Sequence, residues 1–339
     1  MKKTLYIFGI GIFIFGILAF SKSYFTPIYF DVPKGFPKPV YDFKNNPLTE
    51  EGFELGRKLF YDPILSKDNT ISCAVCHLQQ TGFTHVDHDL SHGIDGKIGT
   101  RNSLTLQNLA WSKNFMWDGG VNHLDVQAIA PITSEVEMDE TLENVVQKLN
   151  SNATYQKLFE IAFGTKKITG QLTLKAISQF VVTFTTANSK YDKVLKKEEN
   201  FTEMEQKGYK LFQKHCASCH NEPLLASNDF KNNGLAIDPT LNDFGRMKIT
   251  QNPNDSLKFK VPTLRNIEFT FPYMHDGRFK TLNEVVKHYN SGIQKSKTLA
   301  KELQKPINLS DNERVEIISF LKTLTDKEFL FNLKYGFPK

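Results

Sequence analysis

The sequence predicts a mostly α-helical protein built from two copies of one domain. Helix signals are frequent along the 339 residues and strand signals are few. Blocks of the first half also recur in the same order in the second half, and each half contains one pair of cysteines. The length is sufficient for two domains of ordinary size.

Three segments have the form of a helix capping box, in which a Ser or Thr and a Glu three residues later each accept a backbone N–H at the helix start. They are "TEME" (202–205), "TLNE" (281–284) and "SDNE" (310–313), the last of which opens the apolar-periodic "RVEIISFLKTL". Two longer segments, 141–163 and 172–187, also place apolar residues at helical spacing. We predict helices at all five places.

Two pairs of matching blocks reveal the internal repeat. "GRKLF" (56–60) corresponds to "GYKLF" (208–212), and "TLQNLAWSKNFMWDGG" (105–120) aligns without gaps with "TLRNIEFTFPYMHDGR" (263–278). Equal order and similar spacing indicate a duplicated domain. We predict a first domain over residues 48–200 and a second over 201–339, with the boundary at the charged stretch "KKEEN".

All four cysteines belong to two C-x-x-C-H motifs, "CAVCH" (73–77) and "CASCH" (216–220). This pattern is typical of covalent haem c attachment, where two thioether bonds precede a His that binds the iron. A redox C-x-x-C or half of a zinc site gives the same letters once, but here no cysteine is left over to complete a zinc site. The predicted attachment residues are Cys73, Cys76 and His77 in the first domain, and Cys216, Cys219 and His220 in the second.

Residues 1–22 are typical of a secretory signal peptide or a signal anchor. Lys2 and Lys3 precede an apolar run of 16 residues from Leu5 to Phe20, which is short for a spanning helix. Either reading puts the body of the protein outside the cytoplasmic membrane, in the periplasm, with a membrane anchor at the N-terminus as one alternative. Five prolines in residues 23–47 predict an extended linker rather than a helix.

Charge and composition argue against a nucleic-acid partner. The 42 basic and 37 acidic residues give a formal charge of +5, and no basic run is present. The sequence leaves monomer and homodimer both open.

The two copies differ where a side chain could approach the iron. Trp117 of the first copy aligns with His275 of the second, and Pro131 aligns with Tyr289, which follows His288 in "EVVKHYNSG". A proline cannot bind iron, so we expect an open position in the first domain and a closed one in the second. Glu135 and Glu137 follow Pro131; each is a candidate acid–base group or a surface acid.

These residues resemble the bacterial di-haem cytochrome c peroxidases and their relative MauG. The resemblance covers roughly residues 48–325 and is carried by both C-x-x-C-H motifs together with "GTRNSLTLQN", "FMWDGG", "VQAIAPITSEVEM" and "FKVPTLRNIEFTFPYMHDG". It implies two all-α cytochrome c domains with two covalently bound haem c groups. It also implies reduction of hydrogen peroxide to water with two external electrons.

The resemblance implies a role for several further residues. Glu137 is similar to the catalytic acid–base, Gln127 to its hydrogen-bonding neighbour, and Trp117 to the tryptophan between the haems. Asn102 and the carbonyls of Thr270 and Pro272 match an interdomain calcium site. His92 is the best match to a His that binds the first haem at rest, although two extra residues separate it from Arg101; a loop histidine without that role is the alternative, and His85 and His88 lie on the same loop.

Tyr289 departs from the peroxidase pattern. The corresponding residue is Met in the peroxidases and Tyr in MauG, and phenolate ligation stabilises ferric iron and lowers the haem potential. We predict Tyr289 as the distal ligand of the second haem, with Met274 and His275 as the alternatives.

Three functions remain open at this point. The first is a peroxidase whose electrons come from a small cytochrome c or cupredoxin, enter at the second haem and pass to the first. The second is a MauG-like oxidase that modifies a partner protein, and the third is a non-enzymatic di-haem electron carrier.

Overall fold

The computed structural model describes residues 25–338. The predicted signal peptide or anchor at residues 1–22 lies outside this range. Within it, helices are too short or too polar to cross a membrane.

The described part of the chain is mostly helical, as predicted. Its only paired strands are β1 (Phe230–Lys231) and β2 (Phe259–Lys260), which are antiparallel. The helices are α1 (Glu50–Tyr61), α2 (Cys73–Cys76), α3 (Ile129–Thr133), α4 (Leu142–Asn150), α5 (Ala153–Phe163), α6 (Gly170–Val181), α7 (Lys190–Leu195), α8 (Glu203–His215), α9 (Met247–Thr250), α10 (Leu282–Lys287), α11 (Asp311–Lys322) and α12 (Lys327–Leu330).

The three predicted capping boxes all open helices. In α8 the Thr202 hydroxyl accepts the Glu205 N–H at 3.3 Å, and the Glu205 carboxylate accepts the Thr202 N–H at 2.7 Å. The same reciprocal pair starts α10 and α11. Local hydrogen bonding alone therefore fixes where these helices begin.

The two longer helix predictions need correction. Residues 141–163 form two helices, α4 and α5, because the Asn152 side chain caps a new helix by accepting the N–H groups of Thr154 and Tyr155. Residues 172–187 are helical only to Val181. The backbone beyond it bonds instead to Asn108, which accepts the Thr186 N–H and donates its own N–H to the Phe184 carbonyl.

Each domain is built around one close crossing of two helices, α1 with α6 and α8 with α11. A Cβ added to Gly56 would lie 2.0 Å from the Ala176 carbonyl oxygen, and one added to Gly208 would lie 2.0 Å from the Glu316 carbonyl oxygen. Both glycines open the repeated "GxKLF" block, so the repeat preserves a backbone contact that no larger residue permits.

The duplication extends to unusual backbone angles. Three aligned pairs adopt a left-handed conformation, and one of them is a pair of methionines, which rarely do so. The pairs are Asn108 and Asn266 (φ 54° and 56°), Met116 and Met274 (66° and 75°), and Gly119 and Gly277 (72° and 68°). The loop after each C-x-x-C-H motif therefore follows one path in both domains.

Two segments pack across the boundary that we predict at residue 200. Tyr191 of α7 is fully buried in the core of the second domain. The C-terminal Phe329, Leu330 and Tyr335 return to the core of the first domain, where the Tyr335 hydroxyl donates to the Thr183 carbonyl at 2.8 Å. The last helix before the predicted boundary thus packs in the second domain, and the C-terminal segment packs in the first.

The proline-rich segment is extended, but it is not a free linker. Its residues 25–47 contain no helix and lie against the first domain. Phe30 and Phe36 pack on the Trp111 ring at 5.7 and 5.2 Å, and the Trp111 indole N–H donates to the Pro37 carbonyl at 2.7 Å.

We predict that Gly208→Ala destabilises the second domain by about 1–3 kcal/mol, since the new methyl group forces α8 away from α11. This loss exceeds the gain of up to about 1 kcal/mol in helix propensity. Chemical denaturation followed by circular dichroism measures the change. Lys210→Ala, an exposed position on the same helix, serves as the control; equal midpoints for both variants would contradict the prediction.

Candidate di-haem active site

Each domain contains one cavity at its C-x-x-C-H motif. The first, of about 410 Å³, is lined by Cys73, Cys76 and His77. The second, of about 220 Å³, is lined by Cys216, Cys219 and His220. The four thiols are unpaired with one another, so each cavity offers two sulfur atoms for attachment.

Both motif histidines are held in the orientation that an iron ligand needs. His77 Nδ1 lies 2.7 Å from the Phe83 carbonyl, and His220 Nδ1 lies 3.0 Å from the Pro262 carbonyl. Such bonds fix the ring and leave Nε2 for a metal. Burial lowers the pKa of each imidazole to about 4, which keeps both rings neutral. The donor set of each cavity therefore fits haem c.

The first cavity brings together residues that are distant in the sequence. Trp117, Gln127, Pro131 and Glu137 all line it together with the motif of the first domain. Burial raises the pKa of the Glu137 carboxyl, against a smaller opposing effect of a hydrogen bond with Ser134. A carboxyl of this kind can exchange protons with a small ligand in the cavity.

The predicted loop histidine also lines the first cavity. The His92 carbonyl lies 3.5 Å from the Cys76 sulfur, and the His92 ring stacks on His88 at 4.0 Å. The adjacent Gly93 allows the loop to touch the Glu137 turn, since an added Cβ would lie 2.3 Å from the Glu137 carbonyl oxygen. Whether His92 binds iron stays a prediction.

Tyr289, and not its neighbour His288, lines the second cavity. After α10 the residues His288–Gly292 form a π-helical turn, a distortion that often occurs at functional sites. His288 is buried, and its Nε2 lies 3.0 Å from the Asn233 carbonyl. The His288 ring is therefore held at the Asn233 carbonyl, outside the cavity, and the Tyr289 side chain lines the cavity.

The alternative ligands Met274 and His275 also line the second cavity. The Asn233 amide donates to the Met274 sulfur at 3.3 Å, and the His275 ring stacks on Phe259 at 3.7 Å. Burial raises the pKa of Tyr289 to about 12, while a hydrogen bond with Asn233 opposes it. With a pKa this high, the phenol would ionise near neutral pH only beside the positive charge of a bound iron. The assignment of Tyr289 as the iron ligand stays a prediction.

Trp117 lies between the two cavities and lines both. Its indole N–H donates to the Asn102 carbonyl at 2.8 Å, and its own carbonyl accepts the Lys260 N–H at 2.7 Å. The first bond is within the first domain and the second crosses to the other domain. The indole is thereby fixed at the contact between the two sites.

The residues predicted to bind calcium lie at the same contact. The Asn102 side-chain amide is 2.6 Å from the Pro272 carbonyl, and Thr270 lines the second cavity with both of them. Among residues 25–338, groups of three or more His, Cys, Asp or Glu suited to a metal are absent. A site of one amide and two carbonyls uses other donors, typical of calcium, and it stays a prediction.

The sequence reasoning missed an ion pair that crosses the domains next to Trp117. The Arg101 guanidinium donates two hydrogen bonds to Asp243 of the second domain, at 2.6 and 2.9 Å, and a third to Asp118 at 2.6 Å. Burial alone raises the pKa of the Asp243 carboxyl, but the bonds and charge of Arg101 outweigh it and lower the pKa. The sequence signal that could have indicated this ion pair is Asp118, which lies in the block "MWDGG" of the internal repeat.

Two cytochrome c-like domains, each with a site that fits haem c, define a di-haem c-type cytochrome. Residues 50–200 match the protein-family model for di-haem cytochrome c peroxidase, and residues 205–325 match that for cytochrome c. Together with the relatives described next, these matches show that the chain belongs to the family of di-haem cytochrome c peroxidases and MauG, as the sequence resemblance predicted.

Relatives of both kinds are similar to the chain. It is 34% identical to the methylamine utilization protein MauG of Methylorubrum extorquens, over 86% of this chain and 82% of that protein. It is 35% identical to the cytochrome c551 peroxidase of Nitrosomonas europaea, over 83% of this chain and 81% of that protein. A crystal structure of a MauG-like protein associated with microbial copper homeostasis has a TM-score of 0.85 and 31% identity, covering 92% of this chain and 99% of that one.

We predict that Asp243→Asn lowers the free energy of unfolding by about 1–3 kcal/mol at neutral pH, because Arg101 loses its interdomain partner. The pKa of Asp243 is lowered in the folded protein, so its contribution is present above about pH 4 and disappears as the pH falls below it. Denaturation at pH 7 and pH 3 measures this. Asp229→Asn, exposed in the same domain, is the control; an equal loss for Asp243→Asn at both pH values would contradict the assignment.

Proposed function

We propose that the chain reduces hydrogen peroxide to water at the first haem, with electrons that enter through the second. The observation that carries this proposal is the asymmetry of the two cavities. The first is lined by Pro131, Glu137 and Gln127, whereas the aligned part of the second presents Tyr289. A small oxidant needs an open position beside a proton-transferring group, and only the first cavity has this combination.

Haem c, attached through the two cysteines of each motif and bound by His77 or His220, supplies electron transfer and O–O bond cleavage. Glu137 is the proposed acid–base group. It takes a proton from one peroxide oxygen and delivers it to the other, which leaves as water. Two electrons and two protons from outside complete the reduction of one peroxide to two waters. Gln127 orients the peroxide by hydrogen bonding.

Several further assignments rest on the sequence. The leader and the haem c chemistry support a periplasmic location. A small cytochrome c or cupredoxin is the proposed electron donor, and Trp117 is the proposed link between the haems because it lines both cavities. Asn102, Thr270 and Pro272 line the same cavity, and this proximity supports the proposed calcium site.

A MauG-like oxidase is the second candidate, and Tyr289 in the second cavity is the observation that favours it. In this reaction the two electrons come from side chains of a partner protein instead of a small donor. Peroxide added to the isolated protein should then give an oxidised optical spectrum that persists for minutes. Rapid return to the ferric spectrum, with fast turnover once a reduced donor is added, favours the peroxidase. A protein whose spectrum ignores peroxide in every redox state is an electron carrier.

We predict that Glu137→Gln lowers kcat/KM for peroxide by about 10²–10⁴-fold, since the amide cannot carry the proton. Glu135→Gln is the matched control, because that carboxylate is exposed two residues earlier. Burial raises the pKa of Glu137, so activity of the parent should rise with pH through a value above about 4.3, as the carboxyl ionises. The variant should lack this rise. Unchanged turnover in Glu137→Gln would refute the assigned role.

We predict that Tyr289→Met raises the midpoint potential of the second haem by on the order of 0.1 V or more, because a neutral thioether replaces an anionic phenolate. Tyr289→Phe should change the electron paramagnetic resonance signal of the same haem. Tyr273→Phe is the control, because it removes a phenol of the same cavity that donates to the Ile267 carbonyl. If Met274→Leu changes the signal and Tyr289→Phe does not, the ligand is Met274.

A further inference from the structure

The side chain of Lys260 lies where the two cavities meet. It lines both of them, as Trp117 does. Its backbone is fixed on two sides, since β2 pairs Lys260 with Phe230 and the Lys260 N–H donates to the Trp117 carbonyl at 2.7 Å. The main chain of Lys260 is therefore fixed where the two haem cavities meet, and its side chain lines both of them.

The Lys260 ammonium has no counter-ion in the described part of the chain. Across residues 25–338, carboxylate oxygens within 4 Å of its Nζ are absent, whereas Lys231 lies 3.1 Å from Glu302 and Lys258 lies 3.1 Å from Asp255. Burial lowers the pKa of Lys260 to about 8, and no charged side chain opposes it. A half-buried ammonium without an anion is unfavourable, so the site favours the binding of a negative group.

Haem supplies such a group. A haem c carries two propionate carboxylates on the ring edge opposite its thioether bonds. The thioether sulfurs of the first cavity come from the first domain, while residues 226–228 and 260–263 of the second domain line the same cavity. Second-domain residues therefore form part of the wall of the first cavity. Of the two lysines in that part, Lys248 is exposed, whereas Lys260 is half-buried.

We propose that Lys260 is the counter-ion of a propionate of the first haem, so that a residue of the second domain sets the charge around the haem of the first. This inference rests on haem occupancy of both domains and is independent of the proposed peroxide reaction. A positive charge beside the haem favours the reduced iron, which carries one positive charge less than the oxidised iron. Lys260 therefore raises the midpoint potential of the first haem.

An equilibrium redox titration without peroxide tests the proposal. In Lys260→Met the ratio of reduced to oxidised first haem at a fixed potential should fall about tenfold, which corresponds to about 1.4 kcal/mol. Lys260→Arg keeps the charge and should stay within about threefold of the parent. Lys258→Met removes a lysine two residues earlier that already pairs with Asp255, and it should leave the ratio unchanged.

Identical titrations of Lys260→Met and the parent overturn the proposal, whatever the peroxidase activity. If the Met variant loads fewer than two haems by pyridine haemochrome absorbance, redox-difference infrared spectra of the parent and Lys260→Arg decide instead. An ion-paired propionate gives a carboxylate band that shifts when guanidinium replaces ammonium. The same band in both proteins also overturns it.

Discussion

The arrangement of the two haem sites depends on a few hydrogen bonds around Trp117. The Trp117 indole N–H is bound by the Asn102 carbonyl, and the Trp117 carbonyl by the Lys260 N–H. The Asn102 N–H in turn donates to the His275 carbonyl at 2.7 Å. Two of these three bonds cross the domains through backbone atoms, so they tolerate side-chain change while keeping both cavities in contact with one indole.

The two duplicated domains share several backbone features but differ in the side chains near the haem sites. Met116 and Met274 share a left-handed conformation, and Gly56 and Gly208 share a helix contact. The divergence is concentrated further along, where Pro131 lies in the short α3 and Tyr289 lies in a π-helical turn after α10. The same domain can therefore present Pro131 to the cavity of one copy and Tyr289 to the cavity of the other, while the repeated backbone features are kept.

Features encoded in a few adjacent residues could be predicted from the sequence. The capping boxes at Thr202, Thr281 and Ser310 are of this kind, because the bonds that start each helix lie within four residues. Contacts across the chain could not be predicted in this way. The end of α6 depends on Asn108, and the Arg101–Asp243 pair joins residues 142 positions apart.

The neighbours His288 and Tyr289 also show what could and could not be predicted from the sequence. The repeat alignment predicted that Tyr289 is the residue facing the second haem site, and Tyr289 lines that cavity. The alignment gave no reason for the exclusion of His288, which depends on the Asn233 carbonyl 55 residues away. The sequence pattern could predict that Tyr289 faces the cavity. It could not predict the π-helical turn that separates the Tyr289 and His288 side chains.

The roles proposed for Tyr289 and Lys260 would together favour one direction of electron flow. With the proposed ligation, a phenolate from Tyr289 would stabilise ferric iron and lower the potential of the second haem, and with the proposed ion pair the Lys260 ammonium would stabilise ferrous iron at the first. Under these two proposals, electrons that reach the second haem would pass to a first haem of higher potential, in the cavity that Glu137 lines. Burial raises the pKa of Tyr289, so ionisation of this phenol near neutral pH would need the positive charge of a bound iron.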